Sequence, residues 1–319
     1  MLIFGCTEVQ IDDDIAIAVW QHLDADKSET WYSVYKHSEK TWSTSEGITA
    51  PVALMPGEDF DPDVSSKDAY AVSVWDHEKE IYSSVFDARG SISTAKWTEP
   101  VKLGRGVDPT VAVIAPGDAF VAWVSDDSTR SVQYAFGANS FSSPSSIKGS
   151  KGASLPEAAA FGSGVVLAWV SPEGIHAVFY GAGQFLDSQL ISNDAKGDSA
   201  RPTDLRIGVA ADDGEAIVVW TSKSGSVMYS IFKEGKWSAP SAYSTEQSPD
   251  VADSADGFYS VFEKSKDIWG SDFATTEAVS QMAQDDLRPA ITFIDEKAVG
   301  VSVWWNPIDS PGEIYYSTK

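Results

Sequence analysis

The chain has 319 residues, which at about 150 residues per domain suggests two ordinary domains unless one large repetitive fold absorbs them all. Forty-seven Asp and Glu against 23 Lys and Arg leave a formal charge of -24. Such a field repels phosphate backbones and excludes nucleic acid and anionic membrane surfaces as partners. A hydrophobic content of 43% with 12 Trp argues against disorder, and the single Cys6 excludes an internal disulfide and any Cys-based zinc or iron-sulfur cluster. No apolar run approaches the roughly 18 residues of a membrane-spanning helix, so no membrane insertion is expected.

The first segment, Met1 to Cys6, is apolar and lacks a positive n-region; it reads as a strand, with the truncated end of a lipoprotein signal as the other reading. From there one unit recurs. Its anchor is a short apolar strand ending in an aromatic: Trp20, Trp75, Trp123, Trp169, Trp220, Phe262 and Trp304, spaced 55, 48, 46, 51, 42 and 42 residues apart. Before each anchor except Trp20, a proline starts an apolar stretch: Pro62-Asp-Val64, Pro109-Thr-Val111, Pro156-Glu-Ala158, Pro202, Pro249-Asp-Val251 and Pro289-Ala-Ile291. Proline is tolerated at the first position of a strand, so this stretch reads as strand a and the anchor as strand b.

After the anchor comes strand c, with alternating aromatics: Trp31 to Tyr35, Ile81 to Phe86, Tyr134 to Phe136, Val178-Phe179, Tyr229 to Phe232 and Ile268 to Phe273. A turn then leads to strand d, marked by Trp42-Ser43, Trp97-Thr98, Phe141-Ser142 and Trp237-Ser238. Four antiparallel strands at this period predict an all-β fold, a single β-propeller domain spanning residues 1–319, with seven four-stranded blades. The last unit, Glu313 to Ser317, is a strand c with no strand d after it. Met1 to Cys6 is expected to supply the missing strand and so close the ring, removing an open edge.

The pattern Pro-x-Val, Ala-x-Val-x-Trp, Ile-Tyr-Tyr-Ser, Trp-Ser-x-Pro, best seen in Ala216 to Pro240 and Ala71 to Pro100, resembles the sialidase-like propeller repeats of bacterial and archaeal secreted or cell-surface proteins. The resemblance covers nearly the whole chain and implies the fold, with either glycan processing or adhesion as the activity. It does not resemble the WD40 type, since Trp75-Asp76 has no partner His upstream. Sialidases of this resemblance need three arginines, a Tyr and Glu pair, an Asp, an Arg-Ile-Pro sequence and Asp boxes in the c-d turns. This chain has six Arg, no Arg-Ile-Pro, and Ser254-Ala-Asp256-Gly257 falls between strands a and b. Sialidase activity is therefore not expected.

In a propeller the d-a and b-c loops share one face around the central mouth. Most loop acids fall there, with Lys79, Arg105, Arg130, Arg201 and Arg288 among fewer cations, so the mouth is expected to attract cations. Asp24, Asp26, Asp59 and Asp61 have spacings usable for Ca²⁺, as has Asp12 to Asp14 on the opposite face; solvated loop acids are the plainer reading. His22 and His77, each two residues past an anchor, are candidates for a base or metal pair. Trp31, Trp269 and Trp305, with Arg201 and Arg288, are candidate ligand contacts, since an exposed indole covers the apolar face of a sugar.

The sequence thus predicts a non-catalytic binding or adhesion module, exported or surface-displayed, recognising a glycan or protein ligand at the central mouth. The alternatives are a glycoside hydrolase or polysaccharide lyase using mouth carboxylates or histidines, and a structural scaffold in a larger assembly.

Overall fold

The computed structural model describes residues 6–12, 14–24, 27–43, 46–47, 59–194, 207–212, 214–245, 247–254, 256–265, 267–280, 287–294, 299–306 and 313–318. The first sheet holds β1 (Cys6–Asp12), β2 (Ile15–Asp24), β3 (Lys27–Lys36), β4 (Thr41–Trp42) and β5 (Glu46–Gly47). The second holds β6 (Asp59–Lys67), β7 (Tyr70–His77), β8 (Glu80–Asp87) and β9 (Val101–Arg105). The third holds β10 (Val107–Ala115), β11 (Asp118–Val124), β12 (Val132–Gly137) and β13 (Ser145–Ser146). The fourth holds β14 (Ser154–Phe161), β15 (Gly164–Ser171), β16 (Gly174–Gly181), β17 (Gln184–Phe185) and β18 (Gln189–Ser192).

The fifth sheet holds β19 (Ile207–Asp212), β20 (Glu215–Thr221), β21 (Val227–Lys233), β22 (Lys236–Trp237) and β23 (Ser241–Ser244). The sixth holds β24 (Gln247–Ser254), β25 (Gly257–Lys264), β26 (Asp267–Ser271) and β27 (Thr276–Ala278). The last holds β28 (Leu287–Ile294), β29 (Val299–Asn306) and β30 (Glu313–Thr318). Each sheet runs in chain order from its first strand outward, every pairing antiparallel, which is the blade of a β-propeller. No helix among the described residues is long and apolar enough to cross a membrane.

The blade count is corrected. Six sheets, not seven, have the four-strand path of a complete blade; the last has three strands among the described residues. Completion of that sheet by Met1 to Cys6 is not shown: Cys6 opens β1 opposite Trp20, in the inner strand of the first sheet, and Met1 to Gly5 lie outside the described residues. The outer strand is also less regular than the repeat implies, since in the first, fourth and fifth sheets it is split into two short pieces that both pair with strand c.

The anchors form the core. Trp75, Trp123, Trp169, Trp220 and Phe262 are fully buried, and each tryptophan of the first four packs against the preceding sheet: Trp75 with Ile17 and Val19, Trp123 with Val72 and Val74, Trp169 with Phe120 and Ala122, Trp220 with Ala168 and Val170. Trp20 follows the same rule against Ala290 of the last sheet. Strand b is therefore buried on both faces, which is why β7 and β15 read as nearly unbroken apolar runs. The side chain of Trp304 lies outside the described residues.

The inner strands pack side by side in succession, β1, β6, β10, β14, β19, β24 and β28, with β28 also against β1. The recurrent proline sits inside these strands, at a bulge, where the sequence places it at their first position. The register slips between Phe60 and Asp63, Val107 and Thr110, Ser154 and Glu157, Gln247 and Asp250, and Leu287 and Ala290. The residue before the proline takes a left-handed backbone at Asp61 (φ 48°), Asp108 (53°), Leu155 (49°) and Ser248 (55°). A proline has no N–H to give to the ladder, so it is admitted where the bulge already breaks pairing.

Candidate functional site: the axial cavity

The inner strands enclose a cavity of about 1080 Å³. In four sheets the residue that follows the proline falls at one register position, opposite the residue before the anchor: Asp63 opposite Val74, Thr110 opposite Ala122, Glu157 opposite Ala168, Asp250 opposite Val261. Thr7 and Gly208 occupy the same position in β1 and β19. Asp63, Glu157, Asp250 and Thr7 line the cavity.

These side chains reach the neighbouring inner strand. Asp63 Oδ2 accepts from Val111 N at 2.8 Å and Thr110 Oγ1 at 3.0 Å, while Oδ1 accepts from Val64 N at 2.8 Å. Thr110 Oγ1 accepts from Ala158 N at 3.1 Å and also lies 3.4 Å from Glu157 Oε2. Asp250 Oδ2 accepts from Ile291 N at 3.0 Å. Burial pushes the Asp63 carboxyl up to about 6, with the charge of Asp250 adding to it; the Val111, Thr110 and Val64 donors favour the charged form and only partly offset burial.

The far end of the cavity carries Lys67, Asp68, Asp212 and Asp253, and small side chains such as Ala158, Ala159, Ala210 and Ala252 line the wall between. Lys67 is the one cation among the cavity's described lining residues. The arrangement can therefore accept hydrogen bonds from hydroxyls or ammonium groups, and it disfavours a carboxylate or sulfate ligand.

The expected sites stand apart from this cavity. His77 is buried, its ring edge-on to Tyr82 at 6.0 Å; His22 lies in β2 opposite Glu29, its side chain outside the described residues. Trp31 is half-buried, donates from Nε1 to Glu29 Oε2 at 3.1 Å and packs in the cluster of Trp20 and Trp42. Trp269 lies under the ammonium of Lys264, 4.4 Å from the ring centroid, so that face of the indole is already covered. Arg201 and the side chains of Arg288 and Trp305 fall outside the described residues.

Of the calcium candidates, Asp26 and the side chains of Asp24 and Asp59 fall outside the described residues. Asp61 is the left-handed residue of the β6 bulge. Asp14 instead closes a turn by accepting from Ser38 N and Ser38 Oγ at 2.5 and 2.7 Å. Among the described residues no three His, Cys, Asp or Glu are grouped to hold a metal.

The expected cation-attracting face is partly compensated where it is described. Asp126 pairs with both Lys79 (3.0 Å) and Arg105 (3.3 Å), Asp108 with Arg130 (3.8 Å) and Glu80 with Lys102 (2.7 Å). A hydrogen bond from Lys79 is the main reason the Asp126 carboxyl is held below the usual range. In the sequence the cavity acids read as part of strand a; the signal for them is their place directly after the repeated proline.

No protein-family model matches the chain, and no curated protein matches its sequence. Its fold is shared with solved structures of low identity. The BP39L lectin from Burkholderia pseudomallei is 11% identical, with a TM-score of 0.70 over 100% of this chain and 96% of the lectin. The β-propeller domain of the trilobed protease from Pyrococcus furiosus, described as having an open velcro topology, is 8% identical, with a TM-score of 0.56 over 100% and 97%. The intramolecular trans-sialidase from Ruminococcus gnavus, solved with oseltamivir carboxylate, is 10% identical, with a TM-score of 0.53 over 99% and 94%. The chain is a β-propeller with four-stranded antiparallel blades, and its neighbours include lectins and sialidases.

Proposed function

We propose that this propeller is a non-catalytic carbohydrate-binding module whose ligand is a neutral, hydroxyl-rich glycan held at the axial opening. In this reading the three-stranded last sheet counts as a seventh blade of the same ring. The observation that carries it is the carboxylate rim of Asp63, Glu157 and Asp250 around a cavity whose described lining has Lys67 as its one cation. Sugar hydroxyls donate to such acceptors, and charge-assisted hydrogen bonds of this kind are the stronger ones. A sialic acid would bring a carboxylate against the rim. The lectin neighbour supports glycan binding as a class.

The test is a glycan array with neutral and sialylated or sulfated members, run on the protein and on Asp250→Asn. Binding confined to neutral glycans and weakened at least about tenfold in the variant, the loss of one charged acceptor, is expected. A preference for anionic glycans, or no glycan bound at all, overturns the reading. One observation favours a second reading, a glycoside hydrolase: Asp63, pushed up to about 6 mainly by burial, shares the cavity with a second carboxylate, Asp250, the two residue types that an acid and base pair uses. Cleavage of a polysaccharide panel that is lost in Asp63→Asn would replace the first reading by this one.

A further inference from the structure

Thr110, fully buried in β10, stands between two carboxylates. Its Oγ1 lies 3.0 Å from Asp63 Oδ2 in the second sheet and 3.4 Å from Glu157 Oε2 in the fourth, and it accepts the N–H of Ala158 at 3.1 Å. A threonine hydroxyl has one proton to give and two lone pairs to receive with. It can therefore donate to only one of the two acids at a time. The bridge is particular to this place: Thr7, at the same register position of β1, has no hydrogen-bond partner for its hydroxyl.

Two arrangements satisfy every donor in the group. With Asp63 ionised, Oδ2 accepts both the Val111 N–H and the Thr110 hydroxyl, while Oδ1 accepts the Val64 N–H. With Asp63 protonated on Oδ2, the carboxyl donates to Thr110 Oγ1, which still accepts from Ala158 N, and the hydroxyl proton turns to Glu157 Oε2. The exchange asks for rotation of one hydroxyl and for no change of backbone.

We propose that Thr110 is a positioning residue that relays the protonation of Asp63 to Glu157, so that mild acidification discharges one acid of the rim, turns the Thr110 proton onto another and loosens the hold on a ligand. The proposal rests on the reading of the axial cavity as a glycan site. Sugar hydroxyls donate more strongly to an ionised acceptor than to a neutral one, and an oxygen that already receives Thr110 has less to offer them. The strands packed against β6 are β1, β2, β3, β7 and β10. Among the described side chains β1 and β2 carry no charge, β3 carries Glu29, held by Trp31, β7 carries Asp76 and His77, and β10 carries Asp108, paired with Arg130. On β6 itself Asp61 lies at the bulge and Lys67 at the far end of the cavity. Burial raises the Asp63 carboxyl to about 6 and the charge of Asp250 adds to it, so the exchange falls just below neutral pH.

The experiment follows the carboxyl carbons of Asp63 and Glu157 by NMR in the free protein from pH 7 to pH 5, and titrates the best neutral glycan of the array at both ends of that range, on the full chain, Thr110→Val and Thr110→Ser. Expected is a step in Glu157 at the Asp63 midpoint, kept in Thr110→Ser and absent from Thr110→Val. Affinity should fall on acidification by at least about fivefold in the first and last of these proteins, and by about twofold, from the charge of Asp63 alone, in Thr110→Val. Should Thr110→Val fail to fold, Asp63→Asn gives the readout, because its amide donates to Thr110 at every pH: the step vanishes and affinity no longer changes with pH. A Glu157 without the step, a step that persists in a folded variant lacking the hydroxyl, or a glycan held equally at both pH values overturns the proposal. The expected step with no glycan bound at any pH would remove the glycan reading and leave the proton relay standing.

Discussion

Asp63 in the second sheet accepts a hydrogen bond from the backbone N–H of Val111 in the third, at 2.8 Å. The same link runs from Thr110 to Ala158 N and from Asp250 to Ile291 N. Inner strands of adjacent sheets do not share a hydrogen-bonded ladder, so these side chains give their facing N–H groups partners that the β-structure itself does not provide.

Thr110→Val removes an acceptor from Ala158 N and a donor from Asp63 while keeping the side-chain volume. Leaving such a buried N–H unpaired costs about 1–3 kcal/mol. Urea denaturation should show that loss for Thr110→Val and little of it for Thr110→Ser. Equal effects of the two variants would mean that the hydroxyl does not link the strands.

Stability should rise on mild acidification. The folded pKa of Asp63, about 6, lies above its unfolded value of roughly 3.9, so the native state binds the extra proton in between. Its contribution is fully present below the unfolded pKa and is lost as pH rises through 6. The melting temperature should therefore climb from pH 7 to pH 5. Below pH 4 the trend should reverse, as carboxyls held low by hydrogen bonds and cations, Asp126 and Asp127 among them, take up protons. Asp63→Asn should flatten the rise between pH 7 and 5; a rise of the same size in that variant would assign it to another group.

Gly106 links β9 to β10 where nothing larger fits. A Cβ there would lie 2.2 Å from Trp123 Cδ1 and 2.4 Å from Val124 O. Because one of those contacts is backbone, Gly106→Ala should cost about 2 kcal/mol or more. Gly117→Ala is the comparison, since its Cβ meets nothing but its φ is +87°; the cost there should be nearer 1 kcal/mol. Denaturation midpoints of the two variants decide whether crowding or backbone strain is the larger penalty.

Trp269→Phe should leave glycan affinity unchanged within about twofold, the size of effect expected when no contact is lost. One face of the indole already lies beneath Lys264. Titration of the array's best neutral glycan against this variant and Asp250→Asn separates a sheet-edge aromatic site from the axial one.

Much of the architecture is legible in the sequence because the repeat writes it several times. The anchors Trp75, Trp123, Trp169 and Trp220 are core because an indole at the end of an apolar strand fits between two stacked sheets, and spacing alone brings out that pattern. The site was less legible. Asp63, Glu157 and Asp250 sit in the motif beside the proline, but only the bulge, with its left-handed residue before the proline, turns them toward the next sheet, and a bulge has no period. Nor does sequence show that Lys79 and Arg105 converge on Asp126 from 47 and 21 residues away.

Gly208 and Ala290 have no acceptor to offer the next strand. At Gly208 the reason is steric: a Cβ would come 3.3 Å from the Cα of Asp250 and 2.9 Å from Val219 Cγ2. At this register position the junctions of β19 with β24 and of β28 with β1 thus lack the acceptor that joins β6 to β10 and β10 to β14, and at β1 with β6 the Thr7 Oγ1 has no hydrogen-bond partner. Under mechanical load or near the melting point, a ring built this way yields first where an inner strand offers its neighbour no such acceptor, whereas the sixth and last sheets stay joined through Asp250 and Ile291.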